Sequence, residues 1–275
     1  MIPINSIFHE SCIETMHKMQ SEFVDLTVTS QPYDNLRDYN GFKFDLHQVI
    51  KNLHNVTKTG GVIVWIVGDA TIGGSETGTS FKQALSFMDY GFLLHDTMIY
   101  MKDNPTPVGG STRYYQSFEY MFVFSKGKPK TFNPILEPRR NKHNDKRTVR
   151  IKPVTRNKAG DFKKNKVGVK EIVKIQNVWN YVVGGGHAAE NSIAHEHPAI
   201  FPESLVKDHI VSWSNKNDMV YDPFIGSGTT AVVAKRLGRN FLGSEISAEY
   251  CDIATTRLQS CERICVEQPT LWNNI

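Results

Sequence analysis

The sequence has few cysteines and no long apolar run, and each shortage excludes a class of protein. Its four cysteines, Cys12, Cys251, Cys261 and Cys265, form no Cys-x-x-Cys pair, which disfavours both a disulfide framework and a zinc site. The longest apolar run is VIVWIV at 62–67, far short of the roughly 20 residues that a membrane helix needs. The N-terminal stretch MIPINSIFHES has no basic segment followed by an apolar one, so no secretion signal is expected. These shortages predict a cytoplasmic protein with no membrane partner.

The composition is that of an ordinary globular protein. Of the 275 residues, 40% are hydrophobic and 22% are charged, with 20 glycines and 12 prolines. These values exclude collagen-like, coiled-coil and wholly disordered chains. The length permits either one large α/β domain or two smaller lobes.

The positive charge is concentrated in one part of the chain. The whole sequence carries a formal charge of +4, but the segment 126–174 holds 17 Lys and Arg against 4 Asp and Glu. That segment therefore carries +13 and the rest of the chain −9. A basic insert in an otherwise acidic protein suits binding to a phosphate backbone. A solvated loop is the alternative interpretation.

Hydrophobic patterning predicts two successions of strand, helix and strand, which is typical of a parallel sheet. Two further β-rich runs, 97–102 and 118–125, are expected to form an antiparallel edge. The predicted strands are 23–29, 62–67, 97–102, 118–125, 219–221 and 241–244, and the predicted helices are 44–56, 80–90, 202–213, 230–237 and 248–259.

A glycine-rich segment, DPFIGSGTT at 222–230, lies between a predicted strand and a predicted helix. Glycines let a backbone approach a ligand closely, and the helix that follows offers free N–H groups. The segment is not a dinucleotide fingerprint, because Ala231 stands where a third glycine is needed, and no Gly-Lys-Ser/Thr follows for a phosphate loop. Glu245 ends the next predicted strand, where a carboxylate can accept both hydroxyls of a ribose. The pattern indicates a nucleoside site without a pyrophosphate.

Three motifs together resemble one enzyme family. DPFIGSGTT, the upstream TSQPY at 29–33 and HPAIFPE at 197–203 are similar to those of the S-adenosylmethionine-dependent DNA amino-methyltransferases, which modify cytosine N4 or adenine N6. The order of the motifs resembles the β group of that family. The resemblance implies a doubly wound α/β fold with a mostly parallel sheet and an antiparallel edge. It also implies a catalytic half at 1–125, a basic DNA-recognition insert at 126–190 and a cofactor half at 191–275.

The resemblance assigns the cofactor residues. Asp222, Gly226, Gly228 and Thr229 would surround the methionine part of S-adenosylmethionine, Phe224 would flank its adenine, and Glu245 would hold its ribose. The segment HPAIFPE would begin the helix that completes the pocket. His195 and His197 lie beside Glu196, but a third ligand at suitable spacing is missing, so no metal is expected.

The resemblance also assigns the catalytic segment, Ser30, Gln31, Pro32 and Tyr33. An exocyclic amine is a poor nucleophile because its lone pair is delocalised into the ring, so the site must accept the amine protons. The Ser30 hydroxyl and the backbone carbonyl of Gln31 would do this while Tyr33 stacks on a flipped base. The family usually has proline at position 31. On this interpretation the Gln31 side chain is not itself required.

The sequence leaves the substrate open between several classes. In the family that the motifs resemble, a serine at position 30 favours cytosine N4, and adenine N6 is the alternative. An RNA methyltransferase or a catalytically decayed DNA-binding relative would also fit, whereas the basic insert disfavours a protein substrate. The expected partners are double-stranded DNA and a second copy of the chain in a homodimer.

Overall fold

The computed structural model describes most of the chain, in the ranges 2–31, 45–105, 112–138, 154–156, 162–164, 172–183 and 202–261. The strands in these ranges are β1 Ser6–His9, β2 Val24–Ser30, β3 Thr57–Val67, β4 Thr71–Ile72, β5 Ser75–Glu76, β6 Leu93–Lys102, β7 Phe118–Ser125, β8 Leu136–Pro138, β9 Val154–Arg156, β10 Phe162–Lys164, β11 Ile172–Lys174, β12 Val178–Tyr181, β13 Met219–Asp222 and β14 Asn240–Glu245. The helices are α1 Cys12–Lys18, α2 Leu46–Val56, α3 Thr79–Asp89, α4 Glu203–Trp213, α5 Thr229–Arg236 and α6 Ala248–Gln259.

Eight strands form one sheet in the order β1-β14-β13-β2-β3-β7-β6-β12. Neighbouring strands are parallel except at β7, which is antiparallel to both β3 and β6. The predicted mostly parallel sheet is therefore confirmed, and β6 and β7 form the expected antiparallel pair. The sheet continues one strand further than expected, because β12 pairs in parallel with β6 and forms the outer edge.

The centre of the sheet is apolar because its strands are covered on both faces. In β3 every residue from Val62 to Val67 is buried, as expected for a strand inside a parallel sheet. Trp65 of β3 contacts Phe87 of α3, and the Phe87 ring stacks on Phe124 of β7 at a centroid distance of 4.3 Å. This aromatic group joins the helical layer to the sheet behind the candidate site.

Two elements near the N-terminus, β1 and α1, are not predicted by the hydrophobic pattern. Strand β1 pairs in parallel with β14. Helix α1 begins at a capping box in which Ser11 and Glu14 each bond the other's backbone N–H. The spacing Ser-x-x-Glu is a sequence signal for a helix start, and it would have located α1.

The chain divides into two compact units, Met1–Asn133 with Asn177–Ile275, and Pro134–Gln176. The described strands of the second unit form two antiparallel pairs, β9 with β10 and β8 with β11. The second unit carries 14 Lys and Arg against 4 Asp and Glu. It lies inside the predicted insert, whose bounds of 126–190 stay a prediction.

None of the helices in the described ranges has the length and apolar character needed to cross a membrane. Three of the four cysteines, Cys12, Cys251 and Cys261, are free thiols. The fourth, Cys265, lies outside the described residues.

Candidate functional site

The sheet brings the two sequence-predicted segments to the same edge. Strands β2 and β13 are parallel neighbours, with Leu26 opposite Val220. The carboxyl ends of parallel neighbours meet at one edge of a sheet, which is where α/β proteins bind ligands. Ser30 ends β2, and Asp222 ends β13. The catalytic and glycine-rich segments therefore start side by side despite their distance in the sequence.

Asp222 holds the two segments together. Its buried carboxylate accepts a hydrogen bond from the Thr29 hydroxyl at 2.7 Å, a second from the Thr230 hydroxyl at 2.7 Å and a third from the Phe224 N–H at 3.0 Å. Burial raises the pKa of Asp222 to about 6, against the opposite effect of these hydrogen bonds. A carboxylate has about four acceptor positions, and these three hydrogen bonds use three of them.

Glu245, predicted to bind the ribose, lies at the same edge of the sheet. It ends β14, next to β13. One carboxylate oxygen accepts the N–H of Gly226 at 3.0 Å, and the other accepts the N–H of Ser247 at 2.9 Å. Burial raises the pKa of Glu245, and these backbone hydrogen bonds lower it. Each oxygen keeps an acceptor position, so the residues fit a ligand with two adjacent hydroxyls.

The glycine at position 228 has a packing reason that the sequence did not reveal. Gly228 precedes α5 with φ +84°, a conformation that favours glycine. A Cβ on Gly228 would lie 2.8 Å from the Cβ of Ala254 in α6. Because Gly228 has no side chain, α6 can approach the loop closely. Gly226 also has positive φ, at +49°, and its N–H is the group that bonds Glu245.

The aromatic residue of the loop, Phe224, is partly exposed. Its ring meets Trp65 in an edge contact with centroids 6.1 Å apart. The next residue, Ile225, packs against Gly243 of β14. A Cβ on Gly243 would lie 2.9 Å from the Ile225 side chain. A small residue in β14 therefore lets the loop lie close to the sheet.

Sequence reasoning missed a buried ionic network behind the loop. The Arg257 guanidinium donates to the Ser227 carbonyl at 2.6 Å and to the Glu203 carboxylate at 2.8 Å. It also contacts the Thr229 hydroxyl at 3.2 Å. The other Glu203 oxygen accepts from Arg236 at 2.6 Å. The network connects α4, α5 and α6 to the glycine-rich loop.

A signal for this network is present in the sequence. In α6 the residue Arg257 falls on the same helical face as the buried Ile253 and Ala254, and a charged residue on a core face needs a partner. Glu203, in the motif HPAIFPE, is that partner.

The catalytic segment is described only as far as its second residue. Ser30 is half-buried, and Gln31 is buried at 1% exposure. Pro32 and Tyr33 lie outside the described residues, as do His195, Glu196 and His197. The structure places Ser30 and Gln31 at the same edge as the six predicted cofactor residues. The individual roles of these residues stay predictions.

Comparison with known proteins agrees with this arrangement. A family model described as DNA methylase, N6_N4_Mtase, matches residues 24–256. The orphan methyltransferase M.BamHII of Bacillus amyloliquefaciens is 52% identical over 240 residues, which cover 86% of this chain and 89% of that protein. The Type II methyltransferase M.BglII of Bacillus subtilis is 28% identical over 264 residues, which cover 91% of this chain and 68% of that protein.

Two solved structures share the fold. The PvuII DNA methyltransferase (cytosine-N4-specific) superposes with a TM-score of 0.67 at 18% identity, covering 92% of this chain and 85% of that one. The complex of M1.HpyAVI with S-adenosylmethionine gives 0.58 at 23% identity, covering 92% and 99%. The predicted fold class and family are confirmed. The chain belongs to the N6/N4 DNA methylase family and is an S-adenosylmethionine-dependent DNA amino-methyltransferase.

Proposed function

We propose that the enzyme methylates cytosine N4 at a specific site in duplex DNA, with adenine N6 as the alternative target. The observation that supports transfer to a base amine at this place is the hydrogen bond between Thr29 and Asp222, and the serine at position 30 supports cytosine over adenine. The hydrogen bond joins the residue before Ser30 to the first residue of the glycine-rich loop. A base amine held at the end of β2 would thus lie beside the cofactor loop that follows β13.

The chemistry at the end of β2 is acceptance of amine protons. S-adenosylmethionine, when bound, supplies an electrophilic methyl group. The Ser30 hydroxyl and the Gln31 carbonyl accept hydrogen bonds from the amine and favour its tetrahedral geometry, in which the lone pair is free to attack. The target base must leave the duplex to reach these groups, and Tyr33 would stack on it.

The cofactor would be held by the residues of the loop and of β14. Glu245 accepts the two ribose hydroxyls, and Phe224 flanks the adenine. The remaining acceptor position of Asp222 suits the methionine ammonium. Gly226, Gly228 and Thr229 shape the surrounding backbone.

Transfer of labelled methyl groups, followed by sequencing of the modified bases, tests the proposal. The parent should methylate duplex DNA at N4 of cytosine in one sequence context. Ser30→Ala should lower the rate about 100- to 1,000-fold, as loss of one positioned hydrogen-bonding group in an active site does. Ser21→Ala is the matched control, because Ser21 is an exposed serine before the opposite end of β2, and this variant should keep the parent rate.

Other outcomes of the same assay would favour the alternatives. Methylation at adenine N6 would identify the other base. Transfer to RNA alone would indicate an RNA methyltransferase. Binding of cofactor and DNA without any transfer would indicate a catalytically decayed relative.

We also propose that the basic unit at 134–176 recognises the DNA. Its 14 positive and 4 negative residues give it the charge needed to neutralise backbone phosphates. The remainder of the chain is acidic and would be repelled.

DNA of bacterial chromosomes lies in the cytoplasm, where the free thiols of the described cysteines would stay reduced, so we propose that the enzyme acts there.

A homodimer is proposed from the exposed face of α3. Phe81, Leu85 and Met88 lie along one face of this helix and are 54%, 60% and 46% exposed. Lys82 and Asp89 flank this face seven residues apart, which is two helical turns. Antiparallel pairing of α3 with its copy would set each Lys82 opposite the partner's Asp89, so the surface is complementary to itself, as a two-fold interface requires.

The oligomeric state tests this surface. Light scattering should give the mass of a dimer for the parent and of a monomer for Leu85→Glu. Lys82→Asp should weaken the dimer, and Lys82→Asp combined with Asp89→Lys should restore it. A parent that is monomeric at all concentrations would contradict the proposal.

A further inference from the structure

The side chain of Gln31 has an unusual environment for a primary amide. It is 1% exposed, and within the described structure neither Oε1 nor Nε2 has a hydrogen-bond partner. Leaving a buried polar group unpaired is unfavourable, and such groups are rare in native proteins. The position does not demand an amide for packing, since an apolar side chain of similar length would fill the same volume.

The amide lies at the edge of the sheet where the site is. Gln31 directly follows β2 and continues the alternation of Thr27 and Thr29, whose side chains share one face of the strand. Thr29 bonds Asp222, and its neighbour in β3 is Trp65, whose ring contacts Phe224. The unpaired amide is therefore expected on the same face as the Thr29–Asp222 contact, directly after the end of β2.

An amide offers an acceptor and a donor side by side, so its complement is a donor beside an acceptor. Cytosine presents this pair as the N4 amine and N3, and adenine presents it as the N6 amine and N1. We propose that Gln31 reads this edge of the flipped base: Oε1 shares with the backbone carbonyl of Gln31 the amine proton that Ser30 does not accept, and an Nε2 hydrogen is donated to the adjacent ring nitrogen. This inference rests on the proposed function and assigns its target recognition to a side chain.

The contact would orient the amine as well as select the base. With one amine proton directed at Oε1 and the ring nitrogen fixed, rotation of the base in the site is prevented. A thymine or uracil edge presents an acceptor and a donor in the opposite order, and guanine does so as well, so these bases would be excluded unless the amide flipped. The expectation from the sequence, that this side chain is dispensable, predicts the opposite behaviour.

The substitution Gln31→Met tests the inference, because it keeps the length of the side chain and removes both polar groups. The variant should melt at the same temperature as the parent or higher, since the buried amide no longer loses its hydration. Its affinity for S-adenosylmethionine, measured by calorimetry, should stay within about two-fold of the parent. Its single-turnover rate on duplex DNA should fall about 10- to 100-fold, as expected for loss of a bidentate base contact. Gln48→Met, at an exposed position in α2, is the matched control and should change none of these quantities.

A modified base provides a second test that needs no variant. Once sequencing has identified the target, a duplex is made with 3-deazacytosine, or 1-deazaadenine, at that position, which removes the ring acceptor and keeps the amine. The parent should be slowed about 10-fold or more on this duplex. The Gln31→Met variant should have the same rate on the deaza duplex as on the normal duplex, because the substitution and the deaza base remove the same contact.

The outcomes separate this inference from the proposed function. A parent that transfers no methyl group to DNA would overturn the proposed function. An active parent with an equally active Gln31→Met variant would overturn only the role of Gln31. A variant with weakened cofactor affinity would show that the amide serves the cofactor, and equal rates of the parent on normal and deaza duplexes would also refute base reading.

Discussion

Replacing Glu203 by methionine should destabilise the protein strongly, because one carboxylate joins two guanidinium groups. The side chain of Arg257 is 1% exposed and that of Glu203 is 11% exposed, so solvent screens this pair little. Removing one partner of a buried ion pair costs about 3–5 kcal/mol, since the other charge stays buried without compensation. The second pair, with Arg236, is more exposed and adds about 1 kcal/mol or less. The expected loss for Glu203→Met is therefore about 3–5 kcal/mol.

Urea unfolding followed by tryptophan fluorescence measures this loss. Arg257→Met should cost less than Glu203→Met, because Glu203 then keeps Arg236. The double variant Glu203→Met with Arg257→Met should be more stable than Glu203→Met alone, since no unpaired charge is left in the interior. Affinity for S-adenosylmethionine should fall in both single variants, because Arg257 supports the loop through the Ser227 carbonyl. A loss below about 1 kcal/mol for Glu203→Met, or additive losses in the double variant, would refute the reasoning.

Three further predictions concern the loop, its carboxylate and the basic unit. Gly74 has φ +82° and nothing near its Cβ position, so Gly74→Ala should lower the free energy of unfolding by about 1–2 kcal/mol. Gly228 has a similar φ of +84° but lies against Ala254, so Gly228→Ala should cost about 1–3 kcal/mol more in urea unfolding. Equal losses for the two variants would contradict the packing role of Gly228. The folded pKa of Asp222, about 6, exceeds its unfolded value of 3.8, so the stability of the parent relative to Asp222→Asn should fall by about 2 kcal/mol as the pH rises from 4 to 7. Parallel pH curves for the two proteins would contradict the shifted pKa. Binding to duplex DNA should weaken with salt at a log-log slope of about −0.9 per neutralised phosphate, and replacing Lys and Arg in the unit 134–176 by Gln should flatten that slope; an affinity independent of salt would make the unit a solvated loop.

The central elements follow from local pattern, and so they could be predicted. The apolar run at 62–67 identified β3, and the spacing of apolar residues identified α2. The end of the first strand and the glycine-rich segment located both parts of the site. Position in a parallel sheet then placed Ser30 near Asp222, because the carboxyl ends of neighbouring strands share an edge.

What the sequence could not show depends on contacts between distant residues. The reason for a glycine at position 228 lies in Ala254, and the reason for Arg257 lies in Glu203. The pattern of α6 indicates that Arg257 needs a partner, but no local pattern identifies that partner as Glu203 or identifies the contact of Gly228 with Ala254. The burial of Gln31 is likewise a property of the folded sheet, since the same residue in a turn would be solvated.

The order of the strands also has a consequence for the time course of folding. Strand β2 lies between β3, which follows it closely in the sequence, and β13, which is about 190 residues further along the chain. At about 5–20 residues per second, the ribosome delivers β13 roughly 10–40 s after β2. During that interval β2, β3, β7 and β6 can associate, but one side of β2 keeps unpaired backbone groups and an apolar surface next to them. A nascent chain of this length is therefore a template for wrong strand pairing, and its yield should depend on chaperones that bind exposed strands until the last third has been synthesised.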